Sequence, residues 1–521
     1  MPINCFATTS GSTTVTVNIA NHGAINTAYV SFSGATAVGG VPASDLNKEH
    51  EVSNVTSSSF TITVSTTASS TVSAGGGSAI IAEFQVNPGL DTVVPGNGWG
   101  AGTWGRGTWG SASTSLATSD VLRLWSHDNF GEDLIINIRN GGIFYWDRTN
   151  GVSSRAIPLH SLAGADSATP QVAKKVLVSD RDRHVIAFGC DAIGSIGTVD
   201  PLLIRFSDQE TPTTWLPTAT NTAGDLRISS GSEIVTAVET KQQMLVFTDV
   251  SLHAMQFLGP PFTFGLGILS ENTTIIAPNA AIAVDDIVFW MGEQDFYIYT
   301  GAVQKLPCTV LDYVFSDFNL LQKEKVFTAI NSSFGEVWWF YPSSTATEID
   351  RYVIYNYEQK IWYIGNLERT AWVDRGIRSN PIAASSTGHL FFHEDGFDDG
   401  STTPQTGITA FIESSQQDIQ DGNDFVFLRR LIPDITFRNS STDAPSAVFT
   451  LKARNFPGAT YSNTDDSTVT QSASVPIELF TNQAHVRLRG RSFALRVEST
   501  ATGTGWRLGS PRVDIRPDGS R

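Results

Sequence analysis

Between residues 121 and 394 the chain returns about six times to one arrangement: an apolar strand, a polar turn, a strand rich in aromatics, and another turn. The units are 121–147, 176–206, 234–257, 281–305, 327–364 and 382–394. Two show it plainly. One is Leu134-Ile135-Ile136-Asn137-Ile138-Arg139-Asn140-Gly141-Gly142-Ile143-Phe144-Tyr145-Trp146, and the other is Ile287-Val288-Phe289-Trp290-Met291-Gly292-Glu293-Gln294-Asp295-Phe296-Tyr297-Ile298-Tyr299. Short strands around polar turns carry the signature of hairpins. Hairpin units repeated along a chain are the sequence form of propeller blades. No unit carries a WD or kelch signature. Residues 116–400 therefore read as a β-propeller-like region, and two stacked β-sandwiches are the other arrangement the pattern allows.

Composition agrees with an all-β fold. Charged residues make up only 16%, while Ser, Thr, Gly and Asn are abundant, as on exposed sheets and tight turns. Met is rare at 4, whereas Phe reaches 30 and Trp 12, and flat rings suit cross-strand packing. One stretch, 311–323, has helical spacing through Leu311, Val314, Phe315 and Phe318.

The flanks read as separate bodies. Residues 1–90 alternate as strands at 14–19, 29–32 and 60–64, with turn signals at His22-Gly23, Ser33-Gly34, Gly39-Gly40 and 75–77, which predicts a small β-sandwich or barrel. Residues 91–115 form a Gly-rich linker that sets Trp99, Trp104 and Trp109 five positions apart. Such a backbone is ordered only where its indoles dock, either into a neighbouring domain or between subunits. Residues 401–521 predict a further β domain, with strands near 425–428, 434–437, 448–454, 486–488, 493–497 and 512–515. This end is rich in arginine. Arg487, Arg489 and Arg491 fall at alternate positions and would share one sheet face. They read as a solvated or salt-bridged face, or as contacts to DNA or to an acidic neighbouring subunit.

The formal net charge is −17. Global acidity argues against a protein that grips nucleic acid over its whole surface, but it is compatible with a conduit that repels DNA. Cys5, Cys190 and Cys308 are odd in number and widely spaced, which indicates neither a disulfide framework nor a zinc site. No apolar run reaches the length of a membrane span, and residues 1–11 lack the pattern of a signal peptide.

The residues present no recognisable catalytic constellation. The acidic run His393-Glu394-Asp395-Gly396-Phe397-Asp398-Asp399-Gly400 lacks EF-hand spacing and reads as a solvated turn, so no metal or other cofactor is expected. The pairs Asp285-Asp286, Asp398-Asp399 and Asp465-Asp466 put adjacent carboxylates on opposite faces of a strand, a poor geometry for acid/base work. There is no GxSxG, HExxH or Walker loop, and Cys190 reads as an inert thiol.

Two long strings resemble tail nozzle (tail tubular) proteins of short-tailed phages and the related tail hub or DNA-stabilisation proteins. The first is Arg205-Phe206-Ser207-Asp208-Gln209-Glu210, with Thr213-Thr214-Trp215 and Gly224-Asp225-Leu226-Arg227-Ile228-Ser229-Ser230-Gly231-Ser232-Glu233-Ile234. The second is Arg487-Leu488-Arg489-Gly490-Arg491-Ser492, with Gly505-Trp506-Arg507-Leu508-Gly509-Ser510-Pro511-Arg512-Val513-Asp514-Ile515-Arg516. The early module His22-Gly23, Phe32-Ser33-Gly34-Ala35, Gly39-Gly40 and Leu46-Asn47 is similar to a domain of phage tail proteins. Family members usually carry a β-rich segment ahead of that module, and none is read here.

The resemblance implies a non-enzymatic virion protein with a propeller, a platform and a nozzle portion, assembled in the host cytoplasm. Its subunits would form a ring, a hexamer, beneath the portal and head–tail adaptor. Tail fibres or tailspikes would lie beyond, and DNA would pass along the axis. Two other classes remain open on the residues themselves: a carbohydrate-binding receptor-recognition propeller and a tail-associated glycan hydrolase.

Overall fold

The computed structural model describes residues 3–20, 22, 24, 28–85, 122–259, 262–418, 421–456, 458–459 and 471–519. Among them the regular structure is almost entirely β, with short helices at Ala43–Leu46 and Leu311–Ser316 and three 3-10 turns. The chain divides into two units, Met1–Val373 with Ser385–Thr387, and Asp374–Ala384 with Gly388–Arg521.

The first unit opens with a two-sheet sandwich. One sheet orders Ser59–Thr63, Thr14–Asn18, Phe6–Thr8 and Val72–Gly75, and the other orders Glu49–Glu51, Tyr29–Ser33 and Ile81–Phe84. Both are open, so of the two expected forms the module is a sandwich and not a barrel. Strict alternation explains it: Val15, Val17, Phe60, Ile62, Val30 and Phe32 point inward and are all but fully buried. At the turn after Phe32, Gly34 has φ +73°, and a β-carbon there would lie 2.1 Å from the Ala79 carbonyl oxygen. Only glycine fits.

Five antiparallel meanders follow, each of four strands hydrogen-bonded in chain order. The first comprises Trp125–Phe130, Asp133–Ile138, Gly141–Trp146 and Ile157–Pro158. The second comprises Val172–Val178, Val185–Cys190, Leu203–Phe206 and Gly224–Arg227. The third comprises Ile234–Glu239, Met244–Thr248, Leu252–Gly259 and Thr263–Ser270. The fourth comprises Ala281–Val284, Ile287–Met291, Phe296–Tyr299 and Val303–Lys305. The fifth comprises Phe327–Asn331, Glu336–Tyr341, Arg351–Asn356 and Ile361–Asn366. The first strand of each meander adjoins the first strand of the next. That is the topology of propeller blades.

The second strands show why the meanders stack. Apart from Asp133, Asn137, Thr248 and Glu336 they are apolar, and those of the second, third and fourth meanders bury both faces. In the second meander, Val185 and Ala187 pack with Ile135 and Ile143 of the first, while Ile186 and Phe188 pack with Met244 and Val246 of the third. In the third, Leu245 and Phe247 turn the other way, onto Val288, Phe289 and Trp290 of the fourth. In the fifth, Val337, Trp339 and Tyr341 join that same core, while Trp338 and Phe340 fill a separate one. Each such side chain contributes about 1.5–3 kcal/mol through removal from water. A polar substitution on either face would therefore unseat a neighbouring meander.

The helix expected at 311–323 is shorter. The α-helix stops at Ser316, and a 3-10 segment, Leu320–Lys325, follows. Asp317 ends the first piece because its carboxylate accepts a hydrogen bond from the Ser344 hydroxyl at 2.7 Å and pairs with Arg351 at 3.2 Å. Phe318 leaves the helical path to stack on Tyr341.

In the second unit, the hairpin Ile382–Ala384 with Leu390–Phe392 precedes a sandwich. One sheet runs Ala410–Glu413, Ser492–Ser499, Ser446–Arg454 and Ser472–Glu478, with Gln417–Asp418 also on Ser492–Ser499. The facing sheet runs Ala484–Gly490, Val426–Ile432 and Arg512–Pro517. Val426, Leu428, Val486 and Leu488 meet Leu451, Ala453 and Phe493 between them.

Candidate functional site

The outer face of the three-stranded sheet in the second unit is the most distinctive chemical surface among the described residues. In Ala484–Gly490, burial alternates without exception. Val486 and Leu488 enter the core, and His485, Arg487 and Arg489 face out. The neighbouring strands add to the same face. Phe427 stands opposite Arg489 on one side and Arg516 on the other. A bulge between Leu428 and Arg430 inserts Arg429 as an extra exposed residue. Arg512, Asp514 and Arg516 alternate along the edge strand, with Arg512 and Arg516 exposed.

Phe425 organises two of the arginines. The Arg489 guanidinium carbon sits 3.9 Å from its ring centroid, and that of Arg491 sits 4.7 Å away. Arg489 also donates Nε–H to the Asp518 carboxylate. Arg430 lies 3.6 Å from Asp514. Among the described residues the face sets Arg429, Arg430, Arg487, Arg489, Arg491, Arg512 and Arg516 alongside the carboxylates of Asp514 and Asp518, on a chain of net charge −17. Planar guanidinium groups, pre-set by stacking, suit bidentate capture of carboxylate or phosphate oxygens.

Of the residues singled out in the sequence, Arg487 and Arg489 do share one exposed face, and Arg491 continues it just past Gly490. Trp99, Trp104 and Trp109 lie outside the described residues. Phe425, Phe427, Arg429 and Arg516 complete the face and were not singled out as a group. Their clue was the Phe-Val-Phe-Leu-Arg-Arg alternation at 425–430, but no sequence signal tells that this strand lies between the other two.

A second cluster joins the first strands of the meanders. Asp128 accepts the Val178 N–H at 2.8 Å, Lys175 donates to the Thr236 hydroxyl at 3.1 Å, Arg139 donates to the Val235 carbonyl at 2.7 Å, and Glu239 accepts the Asp180 N–H at 3.0 Å. Lys174 pairs with Glu233. Burial raises the Asp128 carboxyl and holds Lys175 down at about 8. Burial, with Asp180, Asp128 and Asp182 nearby, lifts Glu239 to about 7. Arg139 ties the first meander to the third and the other contacts each join one meander to the next, which gives the cluster a structural task. A shallow hollow beside it is lined by Asp182, Glu239, Lys241, Met255 and Phe264.

Carboxylates of the acidic run near 393–400 are engaged in hydrogen bonds to backbone. The Asp398 carboxylate accepts the Gly503 N–H at 2.7 Å, and the Asp399 carboxylate accepts the Ser401 N–H at 2.9 Å. Among the described residues no three His, Cys, Asp or Glu side chains gather as a metal site would require. All three cysteines are free, and burial pushes the Cys190 thiol up to about 12. No helix of the described residues is long and apolar enough to cross a membrane.

No protein-family model matches the chain, and no curated protein matches it. Among solved structures, two of the extracellular domain of BT4673 from B. thetaiotaomicron are 13% and 12% identical, each with a TM-score of 0.33. They cover 55% and 61% of this chain, which spans only 33% and 44% of theirs. The endosialidase of phage phi92 is 11% identical with a TM-score of 0.20, covering 94% of this chain and 69% of its own. Likenesses this slight carry no argument about what the chain does.

Proposed function

We propose that the chain is a structural subunit of a short-tailed phage tail, one copy in a ring, a hexamer, whose axis conducts DNA between the head–tail adaptor and the distal tail. The observation that carries this reading is the stack of five meanders, which share an apolar core from each one to the next. Such a stack makes a stiff wall, and stiffness with contact surfaces, rather than a reactive centre, is what a conduit requires. It occupies the region where the resemblance to tail nozzle proteins expects a propeller.

In this reading the protein catalyses nothing. Its partners are other copies of itself, adaptor and fibre proteins, and the DNA that passes. Negative-stain microscopy and sedimentation velocity of the purified chain test it. Rings with a central hole are expected, and a protein that stays monomeric across concentrations and salt would overturn the reading.

A further inference from the structure

The acidity of this chain is not spread evenly. The second unit holds 17 acidic and 15 basic residues, a net of −2, and the rest of the chain holds 34 and 19, a net of −15. Within the second unit the arginine face is a local excess of positive charge. Exposed charges are screened over about 8 Å at physiological salt, so an anion seated on the face responds first to the guanidinium groups beneath it.

Four of these arginines have no task inside the molecule. Arg429, Arg487, Arg512 and Arg516 are exposed and form no ion pair, hydrogen bond or ring contact among the described residues. The sheet fixes their spacing. Arg487 and Arg489 lie two residues apart on one strand, which sets them about 6.8 Å apart, and two nucleotide steps along one DNA strand rise by the same length. Arg489 and Arg516 flank Phe427 across three strands, about 10 Å from each other.

The composition of the face selects the class of partner. Protein–protein interfaces have an apolar centre, whereas nucleic-acid interfaces are more polar and far more positive. Along Val426–Ile432, Ala484–Gly490 and Arg512–Pro517, Val513 is the one exposed large apolar side chain, and Phe427 is half-buried. An acidic protein would find charge here but little apolar surface to exclude water around the ion pairs. Phosphates on a nucleic-acid strand need only the guanidinium forks.

Resting on the conduit reading, we infer that the arginine face is a contact for the phosphate backbone of nucleic acid, the DNA of that reading. Phosphate contacts carry no sequence information, and Phe425, the ring nearest the arginines, is already covered by Arg489 and Arg491. Binding is therefore independent of sequence and steeply dependent on salt.

Fluorescence anisotropy of the full chain with a fluorescein-labelled 20-mer duplex tests this. Binding is expected at 50 mM salt, with affinity held within about threefold when the sequence is scrambled. Arg487→Gln/Arg516→Gln should weaken it at least tenfold. It should also lower the slope of log affinity against log salt by about 2, because each lost phosphate contact removes about 0.9 from that slope. Lys241→Gln/Lys305→Gln removes the same charge from the first unit and should change affinity by less than about twofold. Both variants should keep the wild-type thermal midpoint, because every altered side chain is exposed. If the arginine variant melts early, Arg429→Gln/Arg512→Gln takes its place. No binding at 50 mM salt, or an arginine variant that binds like wild type, overturns the inference. Displacement of the DNA by an equal concentration of a poly-glutamate 20-mer also overturns it, and assigns the face to an acidic protein. Rings that ignore DNA sink this inference alone, and monomers that bind DNA through the face sink the ring reading alone.

Discussion

Gly490 and Ala453 hold the two sheets of the C-terminal sandwich together. A β-carbon on Gly490 would lie 2.8 Å from the Ala453 β-carbon and 3.0 Å from the Arg454 carbonyl oxygen. The strand that carries Arg487 and Arg489 can approach the opposing sheet only because this position has no side chain. Gly490→Ala is expected to cost about 1–3 kcal/mol, the range for an added carbon in a packed core. Urea denaturation checks it, and a midpoint unchanged from wild type would show that the sheets have slack there.

His184 lies at 0% exposure, between Phe206, Phe257 and Phe264, with Nε2 3.1 Å from the Thr222 hydroxyl and no hydrogen-bond partner for Nδ1 among the described residues. Burial holds it neutral, down to about 4 from an ordinary 6.5. Between those values the unfolded chain takes up a proton that the folded chain refuses. Its contribution to stability is therefore complete above pH 6.5 and is lost as pH falls toward 4. The loss is about 2–3 kcal/mol. His184→Leu should flatten this part of the stability–pH curve, and a variant that retains the wild-type acid slope would assign the slope to other groups.

Glu239 acts in the opposite sense. Burial first, and then Asp180, Asp128 and Asp182, raise it from 4.5 to about 7. The folded chain keeps a proton that the unfolded chain releases, so the contribution is complete below pH 4.5 and is lost as pH rises through 7. Glu239→Gln retains an oxygen for the Asp180 N–H and removes the charge. At pH 8 it should stabilise the protein by about 1–2 kcal/mol, a figure reduced for partial solvent screening. Thermal unfolding at pH 5 and pH 8 checks this, with the gain expected only at pH 8.

Arg205 is 1% exposed and belongs to the string that resembles tail nozzle proteins. It donates Nη1–H to the Asp191 carbonyl at 3.1 Å and Nη2–H to the Ala168 carbonyl, and it lies 5.8 Å from the Trp215 ring centroid. Arg205→Met leaves both carbonyls without a donor, at an expected cost of about 2–4 kcal/mol. Arg205→Lys should rescue little, because a single ammonium does not reproduce the fork. Guanidinium denaturation curves decide it, and full rescue by lysine would mean that charge alone matters.

Much of the fold was legible because period-two alternation is a local property. The strands near 14–19, 60–64, 448–454 and 512–515 appear close to where the pattern puts them, and five of the repeated units correspond to meanders. The helix at 311–323 was legible only in its first turns, because a distant Ser344 and Arg351 bind Asp317 and end it early. The candidate site was half legible. Alternation alone assigns Arg487 and Arg489 to one face, but it is silent on what that face borders.

By itself, then, the sequence determined the all-β class, the recurrence of hairpins and which side of each strand meets water, since all three follow from the order of apolar and polar residues along a few positions. Tertiary structure decided the rest. Phe427 stands between Arg489 and Arg516, partners some sixty and ninety positions away, only because Leu428, Leu488 and Ile515 must pack together beneath them. Neighbouring strands are chosen by a shared core, and a core is a property of the folded chain rather than of any segment in it.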